Sequence, residues 1–200
     1  FISLDLSYLA VFSLIAGLYH LINHAIFKGL LFLCAGSVYK ATGTRDMEKL
    51  GGLIKKMPHT AVYFLLGAMA ISALPPLNGF VSEWLTLQAF FLGAFNVIGG
   101  SKLFLGVCAA MLALTSGLAV ACFVKAFGII FLAKPRSHCV ESAKEAALPM
   151  RIGMLILAVF TVIFGLAAAL IIKLLAGVSS SVLGIDTSNM NFFLNSLRFA

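Results

Sequence analysis

The chain has 200 residues, of which 62% are hydrophobic and 10% are charged, and its formal net charge at pH 7 is +7. A soluble domain carries about 25% charged residues, so this composition excludes a surface that faces water on all sides and indicates an integral membrane protein. The positive charge does not indicate nucleic-acid binding, because nine of the 14 Lys and Arg residues lie in the two short segments 40–56 and 134–151.

Four stretches without a charged residue are each long enough to cross a bilayer, which takes about 20 apolar residues. They cover residues 6–27, 57–82, 103–124 and 152–172. We predict an all-α, polytopic transmembrane helix bundle that forms one membrane domain. The predicted spans cover about 9–39, 58–96 with a break at 75–79, 102–132 and 152–175. Because the chain begins and ends in apolar sequence, we expect a fragment of a longer protein.

The first predicted helix carries three titratable side chains on one face. His20, His24 and Lys28 are spaced four residues apart, which places successive side chains about 6 Å apart on a helix. Lys28 lies 12 residues before Lys40, where the polar loop begins, or about 18 Å along the helix. A charge at that depth is costly and usually belongs to an ion pathway. The stripe therefore predicts proton transfer, with hydrogen-bonded helix packing as the alternative for the histidines.

The second predicted span contains the sequence Leu-Pro-Pro-Leu-Asn-Gly at residues 74–79. Two prolines remove two backbone donors and Asn-Gly favours a turn, so a continuous helix is excluded. One discontinuous span and a hairpin of two spans remain. Interhelical loops rich in Lys and Arg are typical of the cytoplasmic side. If loops 40–57 and 133–151 both lie there, an even number of crossings separates them, which favours the discontinuous span.

Two further ionisable residues lie within apolar sequence. Glu83 follows the break by four residues, where the exposed amides at the start of a half-helix favour a carboxylate. Its alternative role is an interfacial cap. Lys125 follows 22 uncharged residues and precedes Lys134 by nine, so a side chain that snorkels to the interface competes with a functional one. The candidate proton pathway consists of His20, His24, Lys28, Glu83 and Lys125.

Motifs for cofactors and covalent catalysis are missing from the sequence. The four cysteines lack the spacing of zinc or iron–sulfur ligands. The sequence also has no Walker loop, GxGxxG, nucleophile elbow or HExxH motif. We therefore predict no catalytic redox site, cofactor or metal in this chain.

Three motifs carry a family resemblance. They are HLINHAIFKGLLFLCAGSV at residues 20–38, TRDMEKLGG at residues 44–52 and ALPPLNGFVSEW at residues 73–84. The first resembles the antiporter-like subunits of complex I and of Mrp sodium/proton antiporters. All three resemble the large membrane subunit of the hydrogenase-4 and formate hydrogenlyase type. The resemblance covers about residues 5–150.

The resemblance implies the second half of an inverted-repeat, antiporter-like fold with a discontinuous helix, and it places Lys28 in a central hydrophilic axis. It implies a proton-translocating, non-redox membrane subunit of a hydrogenase-type oxidoreductase complex in a bacterial or archaeal inner membrane. Partner membrane and peripheral subunits would hold the nickel–iron site and the iron–sulfur clusters. The alternatives are a sodium/proton antiporter subunit of the Mrp type, a complex I antiporter-like subunit and a non-conducting structural anchor.

Overall fold

The computed structural model describes residues 6–132 and 134–184, and in this part of the chain the secondary structure is helical. The α-helices are α1 (Ser7–Thr42), α2 (Pro58–Ile71), α3 (Asn78–Asn96), α4 (Gly100–Phe127), α5 (His138–Glu141), α6 (Leu148–Leu166) and α7 (Ala168–Leu183). A π-helical turn, Gly128–Leu132, extends α4. Short 3-10 turns lie at Met47–Lys49 and Leu53–Lys55.

Among the described residues, three helices are long and apolar enough to cross a membrane: Ser7–Thr42, Gly100–Leu132 and Leu148–Leu166. Helix α1 has 36 residues, which corresponds to about 54 Å at 1.5 Å per residue. That length exceeds the ~30 Å hydrocarbon core of a bilayer. The helix therefore gives the other elements a long surface on which to pack.

Helices α2 and α3 follow one another along α1. Leu31 in the C-terminal half of α1 packs in one apolar cluster with Phe64 of α2. Phe12 in the N-terminal half packs in another cluster with Leu85 of α3. Between the two clusters, Phe27 contacts the end of α2 and the start of α3. The two helices thus run end to end, antiparallel to α1.

The interruption between α2 and α3 comprises residues 72–77. It overlaps the predicted break at 75–79, but it starts and ends a few residues earlier than that break. The difference arises because Asn78 and Gly79 form the first turn of α3 instead of a turn between helices. The adjoining ends touch, since a Cβ on Gly79 would lie 1.8 Å from the backbone oxygen of Ala70. Glycine is required there by this close approach.

The end of the described chain differs from the single helix predicted at 152–175. Helix α6 ends at Leu166, and after Ala167, with φ −95° and ψ 22°, helix α7 begins. A Cβ on Gly165 would lie 2.3 Å from the backbone oxygen of Pro76, so this junction sits directly against the α2–α3 interruption. Residues 176–183, which follow the predicted span, also belong to α7. Residues 185–200 lie outside the described range.

The two basic segments meet at one end of the bundle. Arg136 pairs with Glu48 at 3.1 Å, and the Ser137 hydroxyl donates to the backbone oxygen of Lys49 at 2.5 Å. The Glu145 carboxylate accepts hydrogen bonds from the amides of His59 and Thr60 in the first turn of α2. Segments 40–57 and 134–147 therefore form a common loop end.

Candidate functional site

The predicted titratable stripe of α1 lies at the level of the interruption. The rings of His20 and His24 are 6.0 Å apart, centroid to centroid, and His24 meets Phe27 edge-on at 5.4 Å. His20 and Lys28 are half-buried, whereas His24 is exposed in this chain. Because Phe27 touches both adjoining helix ends, its neighbour Lys28 lies at the depth of the break.

A serine of α3 joins the stripe to the second half-helix. The Ser82 hydroxyl lies 3.1 Å from Nδ1 of His20 and 2.9 Å from the backbone oxygen of Gly79. Ser82 is fully buried, so water does not compete for this contact in the described chain. The first two turns of α3 thereby hold one ring of the stripe in place.

Two asparagines fix the register of α1 against α3. The Asn78 amide donates to Oδ1 of Asn23 at 3.0 Å, and both side chains are fully buried. A hydrogen bond between buried polar groups is costly to break, because each group would lose its partner without gaining water. Asn23 lies between the two histidines in sequence, so the same bond also holds their helix face at the break.

Glu83 connects the break to α4. Its half-buried carboxylate accepts a hydrogen bond from the Ser116 hydroxyl. That hydroxyl also lies 3.0 Å from the backbone oxygen of Leu112. Since α3 begins at Asn78, Glu83 is the sixth helical residue, beyond the first turn where amides are free. Its partner is a side chain of α4 and not the helix N-terminus that the sequence suggested.

The two predicted lysines occupy different positions. Lys28 is half-buried on the stripe of α1, but Lys125 is exposed in the last turn of α4. Lys125 follows Ser116 by nine residues, or about 14 Å along the helix. In residues 6–132 and 134–184, the ion pairs lie at the loop end, so neither lysine is paired with Glu83. The structure therefore groups His20, His24 and Lys28 on α1, connects Glu83 to α4, and leaves Lys125 apart.

Sequence reasoning missed the side chains that hold the site together. Ser82 and Ser116 lie inside apolar stretches and have partners 62 and 33 residues away. A serine in such a stretch gives no signal of a distant partner, because the contact forms only in the folded bundle. Asn78 could have been found as a polar residue beside the break, but its Asn-Gly dipeptide indicated a turn.

Glu145 was also missed, and its role is structural. Its carboxylate accepts from the Thr60 hydroxyl at 2.6 Å and from the amide of Ala146 at 2.9 Å, besides the two amides of α2. Burial raises the pKa of the Glu145 carboxyl, but the hydrogen bonds from Thr60, Ala146 and His59 outweigh it, so the pKa lies below its ordinary value of 4.5. The group is an ionised cap on α2.

The sequence is similar to membrane subunits of known complexes. The profile of the family described as "NADH:quinone oxidoreductase/Mrp antiporter, TM" matches residues 3–113. The chain is 48% identical over 161 residues to hydrogenase-4 component B of Escherichia coli K12, which covers 80% of this chain and 24% of that protein. It is 45% identical over 175 residues to formate hydrogenlyase subunit 3 of the same strain, with 88% and 29% covered.

The fold is similar as well. A chain of respiratory complex I from Thermus thermophilus, solved with bound NADH, matches with a TM-score of 0.68 and 27% identity over 90% of this chain and 36% of that one. These similarities confirm the resemblance drawn from the motifs and the predicted all-α membrane fold. The chain spans about a quarter of the length of the two curated relatives.

Proposed function

Because the chain belongs to the NADH:quinone oxidoreductase/Mrp antiporter transmembrane family, we propose that it is part of a proton-translocating subunit in a hydrogenase-type redox complex. The proposed pathway residues are His20, His24, Lys28, Glu83 and Lys125. The nickel–iron site and the iron–sulfur clusters would lie in partner subunits. The similarity to hydrogenase-4 component B and formate hydrogenlyase subunit 3 supports this assignment.

The observation that carries the proposal is that titratable side chains lie beside a helix interruption, within about 12 Å of one another along α1. Backbone groups freed by a broken helix are tolerated within a membrane where protein or water satisfies them. Lys28 lies at that level on α1, and His20 and Glu83 lie just beyond it, on α1 and α3 respectively. Histidine both accepts and donates protons near neutral pH, so this arrangement supports stepwise proton transfer.

The packing supports the membrane topology of the proposal. Helix α2 has 14 residues, about 21 Å, which is shorter than the bilayer core. We therefore assign α2 and α3 together to one discontinuous span beside α1. With α4 as the next span, two crossings separate the basic segments, in agreement with their contacts at the loop end. We assign this end to the cytoplasm because it is rich in Lys and Arg.

The decisive test replaces Lys28 by alanine in the full-length subunit of the assembled complex. Proton movement into proteoliposomes would be followed with a pH-sensitive dye while reduced methyl viologen drives hydrogen evolution. We expect K28A to lower translocation at least about a hundredfold, the range for loss of a proton-transfer group, with subunit assembly unchanged. Lys102→Ala, at the exposed start of α4, is the matched control and should transport normally.

Two results would contradict the proposal. Normal translocation by the K28A complex would indicate a non-conducting anchor. A sodium/proton antiporter subunit is the second candidate, because the family description itself includes Mrp antiporters. Proton movement driven by an imposed sodium gradient, together with purification free of any nickel–iron subunit, would establish that candidate.

A further inference from the structure

Ser82 and Ser116 share one arrangement. Each hydroxyl lies between a backbone carbonyl of its own helix and a titratable side chain of another helix. Ser82 reaches the oxygen of Gly79 at 2.9 Å and Nδ1 of His20 at 3.1 Å. Ser116 reaches the oxygen of Leu112 at 3.0 Å and is hydrogen-bonded to the Glu83 carboxylate.

A hydroxyl in this position can serve either protonation state of its partner. It has one hydrogen to donate and two lone pairs to accept with, whereas a backbone carbonyl only accepts. When the hydrogen points to the carbonyl, a lone pair faces the titratable group. When the hydroxyl rotates, its hydrogen faces that group instead. The change needs a rotation about one bond and no movement of the backbone.

The two states of Glu83 match these two orientations. Ionised Glu83 only accepts, so the Ser116 hydrogen points to its carboxylate. Protonated Glu83 donates its own hydrogen to Oγ of Ser116, whose hydrogen then points to the Leu112 oxygen. His20 and Ser82 follow the same rule, because a protonated Nδ1 donates to the serine and an unprotonated Nδ1 accepts from it.

We propose that Ser82 and Ser116 are positioning residues that keep His20 and Glu83 hydrogen-bonded in both of their protonation states. This inference rests on the proposed function, in which both groups take up and release protons. Without the hydroxyl, one state of each group would lose its protein partner in a partly buried position. Proton transfer through that group would then become slower.

The chain supplies matched controls for both serines. Thr86 on α3 bonds the backbone oxygen of Ser82 at 2.9 Å, and Thr115 on α4 bonds that of Met111 at 2.8 Å. Within the described residues, each threonine makes this bond to its own helix and has no hydrogen bond to a titratable side chain. Thr86→Val and Thr115→Val therefore remove a similar hydroxyl from the same helix without touching His20 or Glu83.

The first experiment detects these hydrogen bonds by infrared and ¹⁵N NMR spectroscopy of the complex that contains the full-length subunit. The infrared band of the protonated Glu83 carboxyl, assigned by its loss in E83Q, should shift in S116A and stay in place in T115V. The ¹⁵N resonances of the His20 ring, assigned by their loss in H20F, should shift in S82A and stay in place in T86V. S116T, which keeps a hydroxyl, should restore the carboxyl band.

The second experiment measures proton translocation in the same proteoliposomes. We expect S82A and S116A each to lower the rate about tenfold, the order of effect for losing one hydrogen bond to a group that becomes charged, while T86V and T115V transport normally. If S82A and S116A behave like the threonine controls in either experiment while K28A stays inactive, the inference is overturned and the proposed function stands. If K28A transports normally, the proposed function itself fails.

Discussion

The loop end and the α2–α3 interruption both join segments that are far apart in sequence, but they do so with different partners. At the loop end, the Glu145 carboxylate accepts from three backbone amides, those of His59, Thr60 and Ala146, and from the Thr60 hydroxyl. At the interruption, His20 and Glu83 each face a serine hydroxyl. Amides in a helix are fixed donors, whereas a hydroxyl can rotate from donor to acceptor.

In the proposed function, this difference distinguishes the structural carboxylate of Glu145 from the Glu83 carboxylate, which changes its charge. Fixed donors stabilise the ionised form alone, and at Glu145 three of them add to the Thr60 hydroxyl in lowering the pKa of the carboxyl. A rotating hydroxyl stabilises both forms of its partner. A polar group in a membrane protein is thus better judged by the kind of donor it faces than by its burial alone.

The largest effect on folding should come from Gly79→Ala at the interruption. A Cβ there would lie 1.8 Å from the Ala70 oxygen, and a backbone oxygen cannot move aside without shifting a helix. We expect destabilisation of about 3 kcal/mol, the upper part of the range for overpacking, measured by thermal unfolding of the purified full-length protein. Gly106→Ala on α4 has no neighbour within 4 Å and should be neutral or slightly stabilising. Equal unfolding temperatures for the two variants would contradict the close approach.

A smaller effect is expected at the loop end from Glu145→Gln. The amide keeps one acceptor but loses the charge that four hydrogen bonds from Thr60, His59 and Ala146 stabilise. We expect a loss of about 1 to 2 kcal/mol, the order for hydrogen bonds to a charged group. Glu141→Gln, on an exposed neighbouring residue, is the control and should leave thermal unfolding unchanged.

The Glu145 effect should depend on pH with a definite sign. Because folding lowers this pKa, the ionised cap stabilises the protein fully above the ordinary value of 4.5, and the contribution is lost as the pH falls through the lower folded value. The stability difference between wild type and E145Q should therefore shrink on acidification. A difference that grows at low pH would show that the carboxylate is not the stabilising form.

The smallest effect should follow Arg136→Gln, which removes the ion pair with Glu48. The two side chains are 40% and 74% exposed, and exposed ion pairs contribute about 0 to 1 kcal/mol. We expect less than about 0.5 kcal/mol by the same unfolding measurement. A loss as large as that of E145Q would mean that side-chain pairs, and not the helix cap, hold the loop end together.

The sequence predicted the features that local chemistry controls. Uncharged stretches indicated membrane helices, and Pro75 and Pro76 excluded a continuous helix wherever the chain packs, because they lack amide donors. The spacing of His20, His24 and Lys28 predicted a shared helix face, because residues four apart are neighbours on any α-helix. Their role in proton transfer stays a prediction.

Features that depend on distant partners escaped the sequence. The α6–α7 junction has no proline, and its Gly165 becomes informative only when it lies against Pro76. Nothing in the sequence distinguishes Glu145 from the other charges of its polar loop, because its partners in α2 are 85 and 86 residues earlier. The assignment of Glu83 to a helix N-terminus failed for a local reason, since α3 starts at Asn78, inside the predicted break.

The position of Glu145 also sets an order on biosynthesis. The first turn of α2 leaves the ribosome about 85 residues before the carboxylate that caps it. At about 5 to 20 residues per second, that interval lasts roughly 4 to 17 seconds, during which α3 and α4 are made. The first turn of α2 therefore lacks this cap until α3 and α4 have been synthesised.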